Sequence, residues 1–332
     1  MTDSLRVYKA LADETRLRLM RLLSRAAFNV NELQEILQMG QSRVSRHLKI
    51  LADAELISSR REGTWIYYQW QERDTTALIG DTLAHLRRHE RTVPQFETDL
   101  QRLEGAIERR KEQTRRFFDN VSEPADLDHR SLNGQYYRRV ALSLLPQRSD
   151  AILDMGTGSG LLLSALVQRA RKVIAMDASH TMLELARHTL GGQRERCDFR
   201  LGDLEQLPVA DAEVDAVVLC MVLHHLSRPA AALAEAHRVL KPGGWITIVD
   251  LHQHTDESLR EQLADLWLGF DPDEVSGWLR RLRFTINESE VVGEAAALKL
   301  ITFKGQKRWH QKQPLPFLTK SGQGEMVKPT TR

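Results

Sequence analysis

The sequence predicts an α/β chain in two parts, a helix-turn-helix head closed by a β-hairpin and then a doubly wound parallel sheet. Three observations predict it. Two short amphipathic helices meet at Met39-Gly40, and aromatic and β-branched residues follow on both sides of Glu62-Gly63. An apolar run, Ile152-Leu153-Asp154-Met155, enters Gly156-Thr157-Gly158-Ser159-Gly160 and then a helix over 161–168. Beyond that loop, apolar strands alternate with helices, which is the pattern of a parallel sheet covered on both faces.

The bulk numbers agree with two units. With 332 residues, 42% of them hydrophobic, the chain can bury two cores and still carry connecting segments. A formal charge of +2 gives no overall preference for nucleic acid, so any DNA contact must come from a local patch. Cys197 and Cys220 have neither disulfide nor zinc spacing and suit a reducing compartment. No apolar run is long enough to span a membrane and no signal peptide is expected, so the expected location is cytoplasmic.

In the head, apolar residues at helical spacing over 5–24 break at Ala12-Asp13-Glu14-Thr15, which predicts two helices with an Asp cap between them. A third helix over 31–37 takes Asn29 or Asn31 as its cap. The fourth, 41–51, turns Val44, Leu48 and Leu51 inward. Its outer residues Gln41, Ser42, Arg43, Ser45, Arg46 and Lys49, with His47 beside them, offer hydrogen bonds and charge to a major groove. Arg60 and Arg61 on the hairpin are placed to meet phosphate.

Residues 1–90 make this DNA-binding unit, and 5–90 resemble the winged-helix ArsR/SmtB repressor family. The resemblance rests on Ala12-Asp13-Glu14-Thr15-Arg16 and Gln41-Ser42-Arg43-Val44-Ser45-Arg46-His47-Leu48. It implies a homodimer on a double-stranded DNA operator. Members of that family often sense metals or metalloids through cysteines near the third helix. The stretch Phe28-Asn29-Val30-Asn31-Glu32-Leu33 has none, so no metal is expected. His85 and His89, four apart on one helix, read as surface or dimer-contact residues.

Residues 91–116 read as a helical connector. Leu78, Ile79, Leu83 and Leu86 before it form a stripe that is a dimerisation helix in the resembled family. Phe96, Leu100, Leu103, Ile107, Arg110, Thr114 and Phe117 then step by four and three. That seam fits either a helix paired with its twin across a two-fold axis or an amphipathic helix lying on its own domain.

The second unit is 117–306. Its glycine spacing departs from the dinucleotide fingerprint, because Leu161 stands where the third glycine should be. Asp154-x-Gly156-x-Gly158-x-Gly160 instead resembles motif I of class I S-adenosylmethionine (SAM) dependent methyltransferases, a Rossmann-like fold. With Asp177, Asp203 and Lys241-Pro242-Gly243-Gly244, the unit is similar to the ubiquinone/menaquinone-biosynthesis type. The resemblance implies that Asp154, Gly156, Thr157, Gly158 and Gly160 cradle SAM or S-adenosylhomocysteine (SAH). It also implies that Asp177, with Ala178 next to it, takes the ribose hydroxyls, that Asp203 accepts from the adenine amino group, and that Leu204 meets a ring nitrogen through its backbone. An Asp closing a strand can equally cap the next helix.

His224 and His225 sit where the fourth strand meets the methyl site. They are the candidate bases, or else pack and cap the following helix. Residues 119–140 are expected to form a lid, and 307–332 a disordered basic tail. Arsenite methylation is rejected because two cysteines cannot supply the thiols it needs. Two readings remain open: a repressor that senses SAM or SAH through a methyltransferase-like domain, and a small-molecule methyltransferase with an autoregulatory DNA-binding head.

Overall fold

The structure is a computed structural model that describes residues 3–70, 77–122, 134–293 and 298–309. The head begins with α1 (Asp3–Leu11) and α2 (Glu14–Leu23), and the Asp13 side chain accepts from Arg16 N at the start of α2. A two-residue strand, β1 (Phe28–Asn29), leads into α3 (Val30–Leu37). Of the two candidate caps, Asn29 is the one used, in a reciprocal capping box with Glu32. Next come α4 (Gln41–Asp53) and the hairpin of β2 (Ile57–Glu62) and β3 (Trp65–Trp70), which turns at Gly63 with φ +61°. The small antiparallel sheet has the order β1-β3-β2.

After α5 (Ala77–Arg88), a 24-residue helix, α6 (Phe96–Asp119), decides between the two connector alternatives. Its Leu103, Ala106 and Ile107 are buried in the head's own core with Leu19, Phe28 and Leu33. The apolar seam is therefore consumed within the chain. Fully buried Asp99 fastens the helix further, accepting from Arg18 at 2.7 and 2.8 Å and from Arg21 at 2.5 Å. A buried carboxylate is tolerable only with such donors around it. The side chains of Leu78, Ile79 and Leu83 lie outside the described residues, as do 123–133 of the expected lid and 310–332 of the expected tail.

The second unit opens with α7 (Gly134–Leu144) and β4 (Ser149–Met155), then α8 (Leu163–Arg169), β5 (Ala170–Asp177), α9 (His180–Leu190), β6 (Cys197–Leu201) and β7 (Val214–Cys220). It continues through α10 (Pro229–Val239), β8 (Leu240–Leu251), α11 (Ser258–Leu263), α12 (Pro272–Arg281), β9 (Phe284–Val292) and β10 (Leu300–Lys307). The seven strands order as β6-β5-β4-β7-β8-β10-β9, with β10 antiparallel to both neighbours. This is a Rossmann-like α/β sheet, and its central strands read as unbroken apolar runs because both faces are covered. Strand order reverses beside β4, the place where an open α/β sheet leaves a crevice for ligand. Lys307, counted with the tail in the sequence, instead closes β10 and donates to His237 O and Leu240 O, both at 2.7 Å.

The head and the sheet unit are in contact. Buried Glu62 on β2 accepts from Leu268 N at 2.7 Å and Arg260 at 3.3 Å, and the Tyr67 ring meets Trp267 edge-on at 5.0 Å.

Candidate functional site

The loop after β4 is shaped by three positive-φ glycines, Gly156 at +85°, Gly158 at +52° and Gly160 at +80°. A Cβ on Gly156 would come within 2.6 Å of Val222, and one on Gly160 within 2.8 Å of the Ala186 backbone. At Gly158 a Cβ would meet nothing within 4 Å, so the loop there faces open space. Gly158 N donates to Asp177 Oδ2 and Ser179 N to Oδ1, both at 2.9 Å. Burial raises the Asp177 carboxyl, and these backbone donors act against that shift. Asp177 thus braces the loop and still lines a cavity of about 620 Å³. Burial pushes Asp154 up to about 7, against which its side chain accepts from Thr157 Oγ1 at 2.7 Å.

The far side of the cavity carries Asp203, Leu204 and Glu205. Asp203 is already engaged, because Lys111 Nζ lies 2.6 Å from it and 2.9 Å from Glu205. Lys111 comes from α6, as does Asp119, which accepts from Ser179 Oγ at 2.6 Å. The helix rooted in the head core therefore ends on the cavity rim. Of the other expected cradle residues, Gly156, Thr157 and Ala178 line the same cavity.

His224 and His225 form part of the cavity wall, and they differ. Burial lowers the pKa of His224, but Asp250, 2.7 Å from its Nδ1, and Asp265 outweigh that and bring it to about 9. The raised value favours the protonated ring and argues against His224 as the base of that expectation. His225 is held well below the usual range by burial and then by the charge on His224, so its ring keeps a lone pair. That lone pair can accept a proton or bind a Lewis acid.

On the head, Gln41, Ser42, Arg43, Ser45, Arg46 and Lys49 are exposed along one side of α4, while Val44, Leu48 and Leu51 are buried. His47 is turned aside, half-buried and 3.5 Å from Asp13. Arg61 is exposed beside the hairpin turn. Arg60 corrects the sequence reading. Its guanidinium donates to Glu274 at 2.6 Å, to Gly269 O at 2.9 Å and to Glu62, and it stacks over Trp267 and Phe270. Those contacts occupy the fork that would otherwise reach phosphate.

Residues 13–59 match the bacterial regulatory protein arsR family, and residues 153–248 match the methyltransferase domain family. The chain joins an arsR-family head to a methyltransferase domain. The demethylmenaquinone methyltransferase of Clavibacter sepedonicus is 36% identical over 137 residues, 40% of this chain and 56% of that one. The ubiquinone/menaquinone biosynthesis C-methyltransferase of Caulobacter vibrioides is 27% identical over 216 residues, 56% of this chain and 84% of that one. The chain spans about half the length, or less, of the curated relatives it matches first. Among solved structures, a SAM dependent methyltransferase from Aquifex aeolicus is similar with a TM-score of 0.45 and 19% identity, over 56% of this chain and 99% of that one.

S-adenosylmethionine is the cofactor that the match to the methyltransferase domain family implies. The residues present fit it, because a side-chain-free loop, a partly exposed carboxylate at the end of β5 and a cavity of nucleoside size converge at one place. Three residues of this region escaped the sequence reading. Asp250 stands one residue before the end of β8, much as Asp177 ends β5, and that position is its only signal in the sequence. Lys111 was absorbed into a helical pattern, and nothing local marks Asp265.

Proposed function

We propose that the protein is a DNA-binding transcriptional repressor, a cytoplasmic homodimer on a double-stranded operator, whose methyltransferase domain senses SAM or SAH. The observation that carries this is the ion pair of Lys111 with Asp203 and Glu205, since it ties a helix of the head to the ligand cavity. Asp203 is assigned to the adenine amino group, Asp177 to the ribose and the loop over 156–160 to the rest of the nucleoside. SAM is the methyl donor and SAH its spent form, so the ratio of the two is what such a cavity reads.

In this reading Asp203 can accept from an adenine only if Lys111 yields part of its hold, and Lys111 moves with α6. Asp99, Leu103 and Ile107 lock that helix to the head. A ligand shifts the equilibrium only by its affinity difference between the two arrangements, and couplings of about 5- to 150-fold are typical. On α4, Arg43, Arg46 and Lys49 contact phosphate while Gln41, Ser42 and Ser45 face base edges.

The test is DNA affinity by fluorescence anisotropy, using duplex from upstream of the chain's own gene, titrated with SAM and with SAH. A change of at least fivefold for one of them is expected, and no response to either rejects the sensor. Turnover is the second reading, favoured by neutral His225 on the cavity wall. It predicts SAH formation when small-molecule acceptors are supplied with SAM.

A further inference from the structure

His224, His225 and Asp265 bring three potential ligand atoms within 4.8 Å of one another. His224 Nε2 stands 3.7 Å from Asp265 Oδ1, and His225 Nδ1 stands 3.8 Å from the same oxygen; that nitrogen also donates to Ala264 O at 3.3 Å, a bond an ion would have to replace. Both spans to Asp265 are too long for hydrogen bonds. They are near the separation of two atoms that share a metal, since ligands about 2.1 Å from an ion stand about 3.4 Å apart in tetrahedral geometry. A shift of a few tenths of an ångström closes the difference.

Asp265 is the first sign that something belongs between these groups. Its side chain is fully buried, and neither carboxylate oxygen has a hydrogen-bond partner among the described residues. The charged groups near it are His224, Asp250, Arg260 and Asp256, and none of them donates to it. A buried carboxylate left without a donor is costly and is ordinarily resolved by a paired charge or a metal.

Asp250 supplies the second sign. Its Oδ2 accepts from Val222 N at 3.0 Å and Leu223 N at 2.8 Å, while Oδ1 takes His224 Nδ1 at 2.7 Å. This fixes the ring and turns Nε2 toward Asp265. A carboxylate behind the far nitrogen is the usual support of a metal-binding imidazole.

We propose that His224, His225 and Asp265 form a binding site for a divalent transition-metal ion, of the kind that two imidazoles and one carboxylate select, such as Zn²⁺, Mn²⁺ or Fe²⁺. Three protein ligands leave coordination positions open, and both histidines line the cavity that holds the glycine loop. The ion would therefore take an oxygen or nitrogen atom of a small molecule occupying that cavity. This inference stands apart from the repressor reading and revises the expectation that no metal is used.

The test uses the full chain, stripped with chelator and titrated with Zn²⁺ alone by calorimetry. His85 on α5 and His89 just past its end, both exposed with rings 4.5 Å apart, are a second place for zinc, so the titration is run in the His85→Ala/His89→Ala background. One Zn²⁺ per chain is expected, with affinity at least tenfold lower in Asp265→Asn and in His225→Gln, and about 10- to 100-fold lower in Asp250→Asn. SAH binding by each variant reports that the domain is folded. Visible absorbance of the Co²⁺-loaded background protein gives a readout that needs no further variant, and bands of a low-coordinate ion are expected. No uptake in that background, or uptake unaffected by Asp265→Asn, overturns the proposal.

Discussion

The cations of α4 and the cation at the centre of the hairpin share a residue type and differ in what they touch. Arg43, Arg46 and Lys49 point outward with no hydrogen bond or ion pair among the described residues. Arg60 has the same fork of donors, yet it is held by Glu62, Glu274 and Gly269 and covered by two aromatic rings. The difference comes from the partner surface. A winged hairpin standing alone would leave Arg60 in solvent, whereas here the methyltransferase domain supplies a carboxylate, a carbonyl and Trp267. Charge in a sequence says which groups can bind phosphate, and tertiary contact decides which are left to do so.

The hardest break in this division of labour is at the glycine loop. Gly158→Val forces a β-branched residue into φ +52° and fills the open side of the loop, so SAH affinity should fall at least 100-fold by calorimetry. Operator binding by the head should survive, and retained SAH binding would reject the cradle.

Next is the recognition helix. Arg43→Ala with Arg46→Ala should weaken operator binding about 10- to 100-fold and lower the salt slope by about 2, because each lost phosphate contact releases about one counterion fewer. Arg60→Ala sharpens the comparison. It should leave that slope unchanged while lowering thermal stability, and a reduced slope would return Arg60 to the DNA face.

A smaller effect is expected at Lys111. Lys111→Met removes the bridge to Asp203 and Glu205 and should reduce the SAM or SAH response of DNA affinity several-fold, with affinity in the absence of ligand changed less.

The smallest effect tests the ion pairs of the methyltransferase domain. Glu213 is pulled down to about 2, first by its hydrogen bond with Arg200, against an ordinary value of 4.5. A depressed carboxyl contributes stability in full above its unfolded pKa and loses it as pH falls through the folded one. Thermal stability should therefore decline between about pH 4.5 and pH 2, and Glu213→Gln should flatten that limb.

Much of this was legible in the chain because its causes are local. The Asp13 and Asn29 caps act within three residues, the alternation of strands and helices follows from burial of both sheet faces, and the loop over 156–160 declares itself through spacing. The connector seam showed that 96–119 is helical. It could not show what the helix lies against, since a stripe of leucine and isoleucine suits a twin or its own head equally. Arg60 with Glu274, Lys111 with Asp203 and His224 with Asp265 are pairs 214, 92 and about 40 residues apart, and no periodicity links such positions. The contacts on which the proposed roles rest are those distant pairs.

One continuous rod links the two halves. At 24 residues, α6 is about 36 Å long, so a rotation of about 10° at one end displaces the other by about 6 Å. That is comparable to the width of a minor groove, about 6 Å, and in the proposed dimer two recognition elements would have to meet half-sites about 34 Å apart. A stiff lever of this size would turn a hydrogen bond exchanged at one tip into a misfit of register at the other.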